Sequence, residues 1–187
     1  MSAYVQTHNG AVLETPSLIA ALFNDKRASV LWLVLRVWLG YQWIEASLHK
    51  ITNPAWMQTG AALKGFWTSA VQIPTEGRPP IAYDWYRTYI QFMLDSNAYV
   101  WFAKVVAVSE MLIGVLLILG IFTGITAFFA GFMNWNFIMA GSASVNGIFF
   151  GIAVFLVLAW KISGYIGLDY FLLPRVGDLW TPAPANK

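Results

Sequence analysis

The sequence predicts an all-α membrane protein: a four-transmembrane-helix bundle, with interfacial amphipathic helices in the long loop between the first and second spans. Three observations predict it. Of the 187 residues, 58% are hydrophobic and only 11% are charged, against about 25% charged in an average soluble domain, and the mean hydropathy is +0.60. Four apolar runs reach the roughly 20 residues that a helix rising 1.5 Å per residue needs to cross the hydrocarbon. Ten Trp residues suit the lipid–water boundary, where an indole keeps its N–H wet and its rings dry.

The elements follow in order. Residues 1–28 form an N-terminal tail. Its Asn9, Glu14, Asn24, Asp25, Lys26 and Arg27, with no early apolar core or small-residue cleavage site, predict no cleaved secretory signal. Within it, LETPSLIAALF (13–23) predicts a small interfacial helix. The first span is 29–49, SVLWLVLRVWLGYQWIEASLH, long enough to act as an uncleaved anchor. Asn53-Pro54 ends it and opens the loop 50–97, in which PTEGRPP (74–80) is a clear break. On either side, AWMQTGAALKGFWTSAV and IAYDWYRTYIQFML predict surface helices that mix Trp and Tyr with apolar residues. The second span is 98–119 and the third, 121–140, carries no charge. Gly120 and Gly124 suit a tight antiparallel hairpin between the two. GSASVN (141–146) turns the chain into a fourth span, 147–167, and 168–187 is a C-terminal tail. The whole reads as one membrane domain, 1–187, without internal repeats. An even number of spans puts both termini on one side. Lys26, Arg27, Lys161 and Arg175 there, against Lys50, Lys64 and Arg87 opposite, make that side the cytoplasmic one.

Charges inside such runs need partners, because an unpaired one costs several kcal/mol. Arg36 is seven residues into the first span and Glu110 nine before the end of the second, at depths of roughly 10 and 13 Å. The two therefore predict a structural ion pair, Arg36–Glu110. Near the outer end, Glu45 and Lys104 share a depth of roughly 6–9 Å, and His49 lies one turn from Glu45 on the same helical face. Arg36, Gly40, Trp43 and Ser47 occupy nearly the opposite face, with Lys50 close to that stripe. Asn134 and Asn136 fall in the same outer half of the third span. Glu45, His49, Lys104, Asn134 and Asn136, beside Trp43 and Trp101, are thus candidates to hold a quinone head group. The same residues also suit a plainer role as polar links between helices, and both readings stand at this point.

Other chemistries are excluded. A net charge of +2, dispersed along the chain, gives no footprint for nucleic acid. With no Cys there is no disulfide, thiolate metal site, iron–sulfur cluster or thioether-linked haem. Only His8, in the polar tail, and His49 are present, which predicts no metal site and no haem held by two histidines. Neither a phosphate loop nor a flavin fingerprint occurs, and GSAS (141–144) lacks the context of a hydrolase. No span is broken by Pro, which argues against a transporter. Redox work would therefore use a diffusible quinone or cofactors held by a partner.

Three blocks resemble those of the DoxX/DoxD-like membrane proteins: LRVWLGYQWIEASLHKI (35–51), SEMLIGVLLILGIFTGITA (109–127) and SGYIGLDYFLLP (163–174). The pattern falls on Arg36, Gly40 and Lys50; on Glu110, Gly114 and Gly120; and on Gly164, Tyr165, Leu168 and Asp169. NPAWMQTGAALKGFW (53–67) and NFIMAGSASVNG (136–147) resemble a subgroup of the family. The resemblance spans roughly 30–175 and implies a four-helix bundle in a prokaryotic cytoplasmic membrane. The family takes its name from the membrane subunit of an archaeal thiosulfate:quinone oxidoreductase, and other members are tied to membrane-associated redox enzymes. It thus implies a membrane subunit of a quinone-linked oxidoreductase, passing electrons from thiosulfate or another reduced sulfur compound to quinone. A redox partner protein or larger complex would accompany it. More distant relatives look like assembly or cargo factors, which implies the alternative: a non-catalytic subunit that anchors a larger complex through its loop.

Overall fold

Capping and small-residue chemistry place the helix boundaries. The structure, a computed structural model, describes residues 5–6, 12–13 and 15–177; His8 and the tail beyond 177 lie outside the described residues. Two short strands, β1 (Val5–Gln6) and β2 (Val12–Leu13), pair antiparallel and are the one departure from an all-α chain among the described residues. The helix α1 (Ser17–Asn24) is the small helix expected at 13–23. The Trp32 indole pins it by donating to Leu22 O at 2.8 Å. Asp25 then accepts the Arg27 N–H at 2.8 Å and starts a single 3-10 turn that leads into α2 (Ser29–Ile51).

The Asn53-Pro54 signal works as expected. Asn53 Oδ1 accepts the Ala55 N–H at 2.9 Å, and Pro54, which has no N–H to lose, occupies the first turn of α3 (Pro54–Met57). The first predicted loop helix, expected over AWMQTGAALKGFWTSAV, is split at Gly60, which takes φ 70°, into α3 and α4 (Ala61–Ala70). The second forms as α5 (Asp84–Asp95). Both α4 and α5 are amphipathic. Leu63, Trp67, Tyr86, Ile90 and Met93 are buried against Ala103 and Ala140, whereas Trp85, Tyr89 and Phe92 face outward along α5. These helices roof one end of the molecule.

Below the roof, α6 (Tyr99–Leu119) and α7 (Thr123–Met139) form the expected hairpin. Gly120 closes α6 at φ 69°, and the Ile121 N–H returns to Leu116 O at 3.0 Å, a left-handed cap that suits glycine. A side chain at Gly120 would also collide with the Arg36 guanidinium. Packing is most extensive between α2 and α6, and between α7 and α8 (Asn146–Leu158). The α2–α6 contact is a backbone contact. A Cβ on Gly40 would lie 2.8 Å from Gly114 O, and one on Gly114 would lie 2.7 Å from Gly40 O. Small residues are what permit helices to approach this closely.

Among the described residues one helix, α6, is both long and apolar enough to cross a membrane. The helix α2 has 23 residues but carries Arg36, Glu45, His49 and Lys50; α7 has 17 residues and α8 has 13. The predicted span 147–167 is not one continuous helix. Its helix stops at Leu158, a single turn α9 (Trp160–Ser163) follows, and the chain turns back into α10 (Asp169–Gly177). Hydrogen bonds hold the turn across the α6–α7 junction: Leu168 N–H to Leu119 O at 3.1 Å and Asp169 N–H to Gly120 O at 2.8 Å. The apolar run continues past the break, so hydropathy alone gives no sign of it.

Candidate functional site

Between the roof and the four long helices lies a cavity of about 610 Å³, within the range of ligand pockets, roughly 300–1,000 Å³. Its walls come from the roof and from α2, α6, α7 and α8. Trp43 and Lys50 of α2, Glu110 of α6, Asn134 and Phe137 of α7 and Phe149 of α8 face it, under Trp56, Trp67 and Tyr86 of the roof. The lining is mainly apolar and aromatic, with a few polar groups that converge.

The first is an ion pair. Lys50 Nζ donates to both carboxylate oxygens of Glu110, at 2.9 and 2.7 Å. Glu110 is only 1% exposed and Lys50 19%. The ammonium also lies 5.3 Å from the centre of the Trp56 ring, where the ring's negative face attracts a cation. Among the described residues, no other charged side chain lines the cavity.

The second group is the Tyr86 hydroxyl, which donates to Asn136 through its backbone oxygen at 3.1 Å or Oδ1 at 3.2 Å. Burial, reinforced by the neighbouring Tyr89, pushes its pKa up to about 12, so it remains a donor at any physiological pH. Asn136 in turn donates to Phe132 O at 2.8 Å.

The third is a set of buried polar atoms without a protein partner. Asn134 is fully buried, yet neither Nδ2 nor Oδ1 is hydrogen-bonded, and the Trp43 indole N–H is also unpaired. Asn134 stands one turn before Phe137 on α7, and Phe137 packs against Trp43 with ring centres 6.4 Å apart. Both unpaired groups therefore belong to the same stretch of cavity wall. A desolvated polar atom without a partner costs free energy, and a ligand in the cavity would recover it.

The expected cluster is divided by this geometry. Trp43, Asn134 and Asn136 line the cavity; Glu45, His49, Lys104 and Trp101 are exposed and do not. Glu45 and His49 are on the opposite side of α2 from the buried stripe, as their helical spacing implied. That same spacing held the missed signal, because Lys50 lay beside the stripe of Arg36, Gly40, Trp43 and Ser47.

The Arg36–Glu110 pair is also corrected. Arg36 donates instead to the carbonyls of Leu117 at 2.6 Å, Ile118 at 3.0 Å and Ile166 at 2.7 Å. The cause is register. Ser47 Oγ bonds Ala107 O at 2.7 Å, Gly40 meets Gly114 and Arg36 meets Ile118, so each step along α2 matches one step back along α6. Glu110 is then level with Ile44, eight residues or roughly 12 Å from Arg36. Lys50 reaches Glu110 because a long helical side chain runs back toward the helix N-terminus.

The residues of the three sequence blocks thus have two fates. Lys50 and Glu110 line the cavity, whereas Arg36, Gly40, Gly114 and Gly120 fasten α2 to α6. Asp169 caps α7 by accepting the N–H groups of Phe122 at 2.6 Å and Thr123 at 2.8 Å. Gly164 leaves room for that carboxylate, which a Cβ would strike. Leu168 contributes its backbone to the turn. Tyr165 packs edge-on against Tyr170, with ring centres 5.4 Å apart.

Helices packed around a ligand-sized apolar cavity, one of them fit to cross a bilayer, describe a small membrane protein with an interior cavity. The family model described as DoxX matches residues 31–141, and the chain belongs to that family of membrane proteins, which is often associated with oxidoreductase-related function. The match runs from α2 to the end of α7 and so contains most of the cavity wall. No curated protein and no solved structure matches the chain.

Proposed function

We propose that this protein is a four-span membrane subunit of a quinone-linked oxidoreductase, with the quinone ring held in the interior cavity. The observation that carries the proposal is the Lys50–Glu110 pair on the wall of an otherwise aromatic cavity. A buried ion pair within a membrane is costly, and such groups mark functional sites. Aromatic walls suit a planar ring. The absence of a cofactor fingerprint in the sequence leaves electron entry to a partner enzyme, and the family resemblance suggests thiosulfate or another reduced sulfur compound as its donor. Outward-facing apolar side chains favour four spans: Val30, Val34 and Tyr41 on α2, Ile125, Phe128 and Phe129 on α7, and Phe155 and Leu158 on α8. Exposed to water, apolar surface on this scale would be an aggregation liability; lipid covers it.

The test is purification from native membranes in mild detergent, followed by solvent extraction and quantification of quinone. About one quinone per chain is the expected result. Quinone at background level, with added short-chain quinone also failing to bind, would remove the reading.

A second reading, a non-catalytic assembly subunit, draws on the outward aromatic face of α5. Trp85, Tyr89 and Phe92 would then hold a larger complex. Replacing Trp85 and Phe92 with Gln separates the two readings, because the assembly role loses its partner while the cavity remains intact.

A further inference from the structure

The unpaired atoms around the cavity specify more than a ring. The Asn134 amide offers both a donor and an acceptor, and the Trp43 indole offers a second donor. Whichever way the amide is turned, Asn134 itself presents one acceptor to a ligand. Lys50 and Glu110 neutralise each other, so the cavity selects a neutral head group.

This complement discriminates between the two stable forms of a quinone. The oxidised ring carries only acceptors, its carbonyl oxygens. It satisfies the N–H groups of Asn134 and Trp43 but leaves the Asn134 oxygen buried and unpaired. The reduced ring carries hydroxyls, each both donor and acceptor. One hydroxyl can donate to Asn134 Oδ1 while its oxygen accepts from an N–H. A site built to hydrogen-bond a hydroxyl penalises the analogue that lacks one, because its own buried group is left without a partner.

We propose that the cavity binds quinol more tightly than quinone, with Asn134 as the discriminating residue and Trp43 as an orienting donor. This deepens the quinone reading above and rests on it. The two forms are related by two electrons and two protons, so a site that prefers quinol raises the potential of the bound couple. A tenfold preference corresponds to about 30 mV for a two-electron couple. The bound quinone is thereby a better oxidant than quinone free in the bilayer, which suits a subunit that accepts electrons from a partner.

The experiment is calorimetric titration of the purified full-length protein in detergent with decylubiquinone, and with decylubiquinol kept reduced under argon. Wild type is expected to bind the quinol about tenfold more tightly, the cost of one unpaired buried acceptor. Asn134→Leu brings the two affinities within about twofold of each other, because the acceptor is gone. Trp43→Phe weakens both forms and preserves their ratio. Equal affinities in wild type, a preference for quinone, or a quinol preference that survives Asn134→Leu would each overturn the inference while leaving the cavity a quinone site. Failure of wild type to bind either form would overturn the quinone reading itself. The wild-type comparison stands even where a variant does not fold.

Discussion

Glu110 and Lys50 meet at 2.7 Å inside the cavity wall, although they lie on different helices and Glu110 is level with Ile44 rather than with Lys50. The long lysine side chain closes the gap. It keeps its head at the cavity rim, where it is partly exposed, while the carboxylate is fully enclosed.

That asymmetry sets unequal costs for breaking the pair. Lys50→Met strands a carboxylate in the interior, which costs about 3–5 kcal/mol. Glu110→Gln leaves an ammonium that can turn toward the headgroup layer, and the loss is smaller. The double variant Lys50→Met/Glu110→Gln recovers most of the stability. Thermal unfolding in detergent ranks the three; equal losses for the two single variants would show that Lys50 has no route outward.

The meeting of Gly40 and Gly114 predicts a strong response to a single methyl group. Gly114→Ala forces α2 and α6 apart and costs about 1–3 kcal/mol by overpacking. Gly65, on α4, has open space around its missing side chain. Gly65→Ala therefore stabilises, by about 0.5–1 kcal/mol, through the unfolded chain and helix propensity. A pair of melting curves decides, and similar shifts for the two variants would contradict the close contact.

Asp169 predicts a local effect. Asp169→Ala removes both acceptors from the start of α7 and costs about 0.5–2 kcal/mol, with Asp169→Asn intermediate because one acceptor remains. Hydrogen exchange reports it directly. The amides of Phe122 and Thr123 lose protection, while those in the middle of α6 keep theirs.

The division of the polar residues predicts which changes are silent. Glu45→Gln and His49→Ala leave retained quinone unchanged, because both side chains face away from the cavity. Asn134→Leu has the opposite profile: it raises the stability of the ligand-free protein by about 1–3 kcal/mol by removing an unpaired buried amide, and it weakens quinol binding. Quinone extraction and thermal unfolding on the same preparations test both halves.

The sequence made the local structure legible and left the axial offsets hidden. Asn53-Pro54, Gly120 and the aromatic spacing of 81–94 each act within a few residues, so their outcomes could be read from the chain. The offset between α2 and α6 is a long-range quantity, set by the Gly40–Gly114 contact. Hydropathy measures the length of a run and does not say which of its residues face each other. Matching the ends of the two runs misplaced Arg36 by six residues and gave it the wrong partner. The same applies to the fourth run, where an apolar sequence continues through a turn held by Asp169 some distance away. Within the site, Trp43, Asn134 and Asn136 were legible as polar or amphipathic residues at one depth. The Lys50–Glu110 pair was not, because the reach of a lysine spans nearly two helical turns.

The turn that carries Asp169 also bears on how the protein is made. During synthesis, Arg36 and the α6–α7 hairpin leave the ribosome well before Ile166 and Asp169. Until those residues emerge, α7 begins without its cap and Arg36 lacks one of its three carbonyl acceptors. A later segment thus completes a joint laid down by the first long helix. A nascent chain that stops short of Gly164 therefore leaves one guanidinium nitrogen and two helix ends without the partners they have in the finished fold.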